Sequence, residues 1–243
     1  MPSLIETTIE TFESAGIDLA ALGLAWARVT PAVALVPAFG LRALPAPARA
    51  ILGLALAACI VPAVTPIPVM SAAPWPLLAV VEAARGLPVA IAAAVPLWAA
   101  TMAGGVADAL RGSQEAPSAA TVEGPATPTG VALSLLASAM FLATGGPARV
   151  VTALAARQDA AHPLLAATGD LVNGITLAVA LGGPLLAAAV VVEIAGAVVA
   201  RAASPAQVQA LIAPLRALGT LAVTGIVLDR LAGALARAIL ASP

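Results

Sequence analysis

Residues 80–112 read VVEAARGLPVAIAAAVPLWAATMAGGVADALRG, a segment that is almost wholly apolar. A helix needs about 20 apolar residues to cross a bilayer, and this segment is longer than that. It nevertheless has Glu82 and Arg85 near its start and Asp108 near its end. Ionisable groups at membrane depth are costly and usually face protein or a water-filled cavity. The segment therefore predicts a membrane helix that is packed among other helices.

Small residues recur along this predicted helix. Gly86 lies one turn after Glu82, and Gly104, Asp108 and Gly112 follow one another at four-residue intervals. Residues four apart lie on the same face of a helix, so the Asp108 carboxylate shares its face with two glycines. Glycines at membrane helix interfaces let two backbones approach closely. We interpret Gly86 and Gly104 as such close-packing points.

The composition is that of a membrane protein. Of the 243 residues, 61% are hydrophobic and 9% are charged, and the mean hydropathy is +1.05. A soluble domain has about 25% charged residues, so we expect a polytopic membrane protein. The formal net charge of -1 argues against a nucleic-acid partner, because nucleic acid requires a basic face.

About six apolar runs alternate with polar or proline-rich segments. Gly145-Gly146-Pro147 interrupts the fourth run and Gly182-Gly183-Pro184 the fifth, so we expect a broken helix at both places. Broken backbone at membrane depth occurs only where it is buried in protein or lines a cavity. The prediction is an all-α membrane protein whose helices form hairpins within one domain, residues 1–243. The runs cover residues 17–36, 48–61, 77–110, 130–156, 171–200 and 217–240.

One long polar segment follows the central run. Residues 111–129, RGSQEAPSAATVEGPATPT, are rich in Gly, Pro, Ser, Thr and Ala, which predicts a loop and not a helix. Links between helices in compact proteins usually run about 2–8 residues, so this loop is unusually long. From composition alone it is a solvent-exposed tether or a segment with a function of its own.

Groups with catalytic potential are few. The chain has one His and one Cys, and no nucleophile stands in a recognisable pairing with a base. We therefore expect no enzyme activity, no cofactor and no metal site. The charged residues inside the apolar runs are either relay groups of a transporter or structural ion pairs. Glu193 and Arg201 lie about 12 Å apart along a helix, too far for direct contact within it, so as structural residues each would pair with another helix or subunit.

The motifs together resemble a known family. The pattern E-x-x-x-G, a long apolar run and then G-x-x-x-D-x-x-R-G is similar to the central helix of the FliR/SctT family, and its D-x-x-R-G ending is nearer to the injectisome branch. These proteins are export-gate subunits of flagellar and injectisome type III secretion systems. The residues that match the family pattern are Arg28, Pro37, Pro45, Arg49, Glu82, Gly86, Gly104, Asp108, Arg111, Gly112, Glu193, Arg201, Pro205, Pro214 and Arg216.

The resemblance implies a function that composition does not show. Such a subunit assembles in the bacterial inner membrane with two smaller membrane partners, similar to FliP/SctR and FliQ/SctS, and with a large cytoplasmic gate protein. Unfolded secreted proteins pass through the resulting pore, and the loop at residues 111–129 would help to plug it. The matching residues would then serve assembly or the pore. The alternative is a stand-alone multi-pass transporter with Glu82 and Glu193 at mid-depth.

Overall fold

A computed structural model describes Ser14 and residues 18–39, 45–63, 74–110, 127–156, 163–202 and 205–242. Within these ranges every regular element is helical, and none is a strand, which confirms the predicted all-α class. The helices are α1 (Leu19–Leu35), α2 (Ala46–Ile60, extended by a 3-10 turn at Val61–Ala63), α3 (Trp75–Leu110), α4 (Pro128–Ala143), α5 (Gly146–Ala155), α6 (Pro163–Ala202) and α7 (Pro205–Ala241).

Local sequence signals mark where several helices begin. The Asp18 carboxylate accepts a hydrogen bond from the Ala21 amide at 2.9 Å and caps α1. The Thr127 hydroxyl does the same for α4 by accepting from the Gly130 amide. Side chains of this kind satisfy amide groups that have no partner inside the helix. Prolines occupy the first turns of α2, α4 and α5, where their missing amide hydrogen costs nothing.

The helix α3 is the centre of the fold. It packs most extensively on α6, α1 and α4, and it also contacts α5 and α7. The core residues of its middle are mostly small, as at Ala90, Ala93 and Ala94, which are completely buried. Small side chains allow the neighbouring helices to approach the α3 backbone closely. The chain then ends in a long antiparallel hairpin of α6 and α7, in which Gly219 lies against Val192.

Fewer helices than apolar runs can cross a membrane unaided. Four helices are long and apolar enough, namely α2 with its 3-10 turn, α3, α6 and α7, and the bent pair of α4 and α5 raises the number to five. The first run forms α1, which has 17 residues and is too short to count as a candidate span. The polytopic membrane class is thus confirmed, whereas the expected six runs correspond to four or five candidate spans among the described residues.

The two Gly-Gly-Pro sequences have different outcomes. Gly145 adopts the left-handed conformation with φ of 74°, and α4 and α5 meet there at a bend of 66°, so the first expected break is present. The second expected break is wrong, because α6 continues through Pro184. The flanking Leu181 and Leu185 are 3% and 1% exposed. Their burial holds this turn in the helix although Pro184 supplies no amide hydrogen.

Several sequence expectations fall at the edges of the described residues. The predicted loop ends earlier than expected, because α4 begins at Pro128 and Thr127 caps it. Residues 111–126 lie outside the described part of the chain, and so do Arg111 and Gly112. The helix backbone is described at Pro205 and Arg216, but the side chains of these two residues are not.

Candidate functional site

A buried ion-pair cluster surrounds Glu82 in the first part of α3. Glu82 is 5% exposed and Arg28 of α1 is 8% exposed. The Nε of Arg28 donates to Oε2 of Glu82 at 2.7 Å, and its Nη2 forms an ion pair with the same oxygen. Arg85 donates from Nη1 to Oε1 at 2.9 Å, as its spacing from Glu82 predicts. Both carboxylate oxygens therefore have a cationic partner, which a buried charge requires.

Arg28 also connects this cluster to α5. Its Nη1 donates to the backbone carbonyl of Leu154 at 3.1 Å. Leu154 lies in the last turn of α5, where carbonyl groups have no partner within the helix. One guanidinium thus binds α3 through a carboxylate and α5 through a helix end, using the several donors of its planar fork.

Gly86 makes the contact between α1 and α3 possible. A Cβ at this position would collide with the carbonyl oxygen of Arg28, a backbone atom that cannot move away alone. The absence of a side chain therefore sets the distance at which Arg28 can reach Glu82. The sequence interpretation of Gly86 as a close-packing point agrees with this geometry, and the second helix belongs to the same chain.

A second polar cluster lies at the other end of α3. The Asp108 side chain is completely buried and accepts hydrogen bonds from the amide and the hydroxyl of Thr129, at 2.6 and 2.7 Å. The Gly130 amide donates to it at 3.4 Å. These amides begin α4, so Asp108 caps that helix from a neighbouring one, and its negative charge suits a helix N-terminus.

Gly104 has the same role at this end that Gly86 has at the other. A Cβ on Gly104 would lie 2.6 Å from the Thr129 carbonyl oxygen and from the backbone of Gly130. The four-residue spacing that places Gly104 and Asp108 on one face thus brings both against the start of α4. The two clusters lie about 39 Å apart along α3, at roughly 1.5 Å per residue.

A third cluster was not expected from the sequence. Arg149 lies just after the bend between α4 and α5, and its Nη1 donates to the carbonyls of Ile239, Leu240 and Ser242 at 2.9, 3.1 and 3.2 Å. These carbonyls end α7, which begins 56 residues after Arg149 in the sequence. No local pattern predicts such a contact, because the partners are backbone atoms of a distant helix end.

Among the described residues, the other predicted positions take no part in these clusters. Pro37 lies in the turn after α1, Pro45 precedes α2, and Arg49 is half-buried on α2. Glu193 and Arg201 are exposed on α6, and Pro214 is exposed on α7. Asp229, Arg230 and Arg237 are further exposed charged residues of α7. No group of three or more His, Cys, Asp or Glu residues that could hold a metal ion occurs in the described ranges.

The comparison with protein families decides the class of this protein. Residues 19–241 match the family described as bacterial export proteins, family 1. The chain belongs to this family. The match includes α1 to α7 and the first two polar clusters of this export protein, and all of the third except Ser242. It confirms the resemblance to FliR/SctT proteins. Curated proteins give no match. With its apolar helices, the chain is a bacterial export-apparatus protein integral to a membrane.

Proposed function

We propose that this export protein is a non-catalytic subunit of the type III export gate, located in the bacterial inner membrane at the base of the secretion system. It forms part of the pore through which unfolded proteins leave the cell. Its partners are two smaller membrane subunits, similar to FliP/SctR and FliQ/SctS, and a large cytoplasmic gate protein. The observation that carries the proposal is the exposure of charged side chains on the hairpin of α6 and α7.

The hairpin is apolar enough to enter a membrane yet unsuited to lipid alone. Half of an apolar 18-residue segment of α3 is buried within the chain, against 22% of such a segment in α6 and 12% in α7. Glu193 is exposed on α6, and Asp229, Arg230 and Arg237 are exposed on α7. A charged side chain in hydrocarbon is costly, and such residues usually face protein or a water-filled cavity. Partner subunits or a hydrated pore supply these surroundings.

The central helix supports a structural role for the buried charges. Residues 86–107 of α3 contain no charged side chain and are 22 residues long, the length of one membrane span. Glu82 and Asp108 lie at opposite ends of this segment, and each is bound by groups of the same chain. This placement disfavours the transporter alternative, which requires Glu82 at mid-depth and free to exchange a proton.

The segment that includes residues 111–126 is the candidate plug of the pore. It follows the Asp108 cluster, which joins the end of α3 to the start of α4, so the two attachment points of the segment lie close together. A plug has to obstruct the pore and yet yield to a passing chain. Small side chains with few apolar anchors suit this, because such segments have low local stability.

Co-expression with the two small membrane subunits tests the assignment. We expect the wild-type chain to purify with them in mild detergent as a complex of fixed composition, and Glu193→Ala to lose most of that complex while its amount in the membrane stays normal. Val191→Ala, at an exposed apolar position on the same helix, is the control and should assemble normally. A chain that purifies alone beside its co-expressed partners would refute the export-gate assignment. Normal assembly of Glu193→Ala with lost export would instead assign Glu193 a relay role.

A separate measurement tests the plug. Deleting residues 113–124 retains Thr127 and the capped start of α4, so assembly should persist. The deletion complex should conduct ions across a planar bilayer, whereas the wild-type complex stays closed. A deletion complex as tight as the wild type would reduce the segment to a tether.

A further inference from the structure

A groove runs between α1 and α2, and none of the residues that line it belongs to the three clusters. It has a volume of about 240 Å³, and its walls include Trp26, Thr30, Val33, Arg49 and Gly53. Pockets for small-molecule ligands usually measure about 300–1,000 Å³, so this groove is sized for one or two side chains. All of its walls are apolar except for Thr30, the Trp26 ring nitrogen and the Arg49 guanidinium.

Arg49 has an unsatisfied donor in this groove. Its Nε atom is shielded from solvent and has no hydrogen-bond partner among the described residues. A buried donor of a charged group is costly when its hydrogen bond is not made. Arg28 on the opposing helix shows what satisfies such a group in this protein, since its Nε donates to a carboxylate.

The surrounding sequence offers Arg49 no such carboxylate. Between Asp18 and Glu82 the chain has three arginines and no acidic residue. Among the described helices, α1 and α5 make the main contacts with α2, and neither contains Asp or Glu. Glu82 itself is already bound by Arg28 and Arg85. The countercharge therefore has to reach the groove from beyond these helices.

The rim of the groove favours a protein helix as the source of that charge. Trp26 is 42% exposed, and Leu54, one turn after the groove residue Ala50, is 47% exposed. An isolated anion would leave these apolar surfaces uncovered. An apolar helix with one carboxylate would cover them and satisfy the guanidinium, and aromatic and arginine side chains are common anchors of protein interfaces.

We propose that the groove between α1 and α2 is a docking site for an apolar helix of a partner subunit, and that a carboxylate of that helix binds Arg49. This inference rests on the proposed function, which supplies membrane partners. It assigns Arg49 to one defined interface, with a specific chemical complement on the other side.

Cross-linking and charge exchange test the docking site. A photo-reactive benzoylphenylalanine at Ala50, in the co-expressed complex, should cross-link to one small membrane subunit close to an Asp or Glu. Arg49→Met should lower the amount of co-purified partner about tenfold or more, as expected when one member of a buried interfacial charge pair is removed. Arg49→Glu should lose the complex, and changing the partner's carboxylate to Arg should restore it.

The contrary outcomes are distinct. Cross-links only to lipid, or only to residues 1–17 of the same chain, would overturn the docking site. An Arg49→Met chain that keeps its partner would also overturn it. So would an Arg49→Met chain whose thermal stability in detergent falls by the same amount with and without the partner, because Arg49 would then act within its own chain. If the wild-type chain binds no membrane subunit at all, the proposed function itself fails. If the wild type assembles and only these variants behave contrary to expectation, the docking site alone fails.

Discussion

The bundle around α3 and the hairpin of α6 and α7 use charged residues in opposite ways. In the bundle, Glu82 and Asp108 are buried, and each is bound by groups of the same chain. In the hairpin, Glu193 and Arg237 are exposed along helices that are also long and apolar enough to cross a membrane. The difference shows that the structural role of a carboxylate cannot be inferred from its position in an apolar run. Its burial and its partners decide whether it joins helices of one chain or lies on an outward-facing surface.

The sharpest way to break this comparison is to remove one carboxylate from each region. We expect Glu82→Ala to lower the free energy of unfolding by about 3–5 kcal/mol, because Arg28 is left buried and unpaired. Asp229→Ala, at an exposed position of α7, should change it by less than about 0.5 kcal/mol, as for other exposed positions. Thermal unfolding of the purified chain in detergent measures both. Similar losses for the two variants would contradict the division into a self-contained bundle and an outward-facing hairpin.

The glycines of the two regions differ in how closely another helix approaches them. Gly86→Leu should cost about 3 kcal/mol, because the new side chain meets the Arg28 carbonyl and forces α1 away from Glu82. A Cβ on Gly225 of α7 would meet no atom of another described helix within 4 Å, so Gly225→Leu is the matched control and should fold normally. The accumulated amount of each variant in membranes, followed by its unfolding temperature, gives the result. A well-folded Gly86→Leu chain would show that α1 and α3 are not in close contact.

The Asp108 cluster provides a smaller effect of the same kind. Asp108→Ala removes the acceptor of the Thr129 amide and of the Thr129 hydroxyl, which should cost about 1–3 kcal/mol. Asp108→Asn retains one acceptor oxygen and should recover part of that loss. Asp229→Ala, at an exposed position of α7, is the control and should be almost neutral. Hydrogen exchange at the first amides of α4 would locate the effect, and unchanged protection in Asp108→Ala would exclude a capping role.

The smallest expected effects differ in sign between the two Gly-Gly-Pro sequences. Gly145→Ala should destabilise by about 1 kcal/mol, since residues with a Cβ disfavour a φ of 74°. Gly182→Ala should stabilise by about 0.5–1 kcal/mol, because Gly182 lies inside a helix and has open space around it. Denaturant titration in mixed micelles can resolve the pair. Equal signs would mean that α6 is broken at Gly182 in solution.

Sequence patterns predicted where the apolar helices lie better than they predicted where a helix is interrupted. Hydropathy located the apolar runs, and Gly86, interpreted as a close-packing point, lies directly against the α1 backbone. The break at Gly182 was wrong because it depends on tertiary packing. Leu181 and Leu185 are buried against other helices, and this contact keeps the Gly182-Gly183-Pro184 turn helical. The same tripeptide interrupts the helix at Gly145. The Arg149 cluster could not be predicted, since its partners are backbone carbonyls of a distant helix end.

The sequence by itself determined the membrane class, the helical composition and the export family, because these depend on hydropathy and on residue types at short spacings. Only the tertiary structure decided which charges serve the chain and which face outward. Glu82 and Glu193 both lie in apolar runs, and nothing local separates them. Arg28 reaches Glu82 from 54 residues away because Gly86 lets α1 approach α3, whereas Glu193 lies on an exposed face of α6. The role of a charged residue in an apolar helix is set by the helix packed beside it.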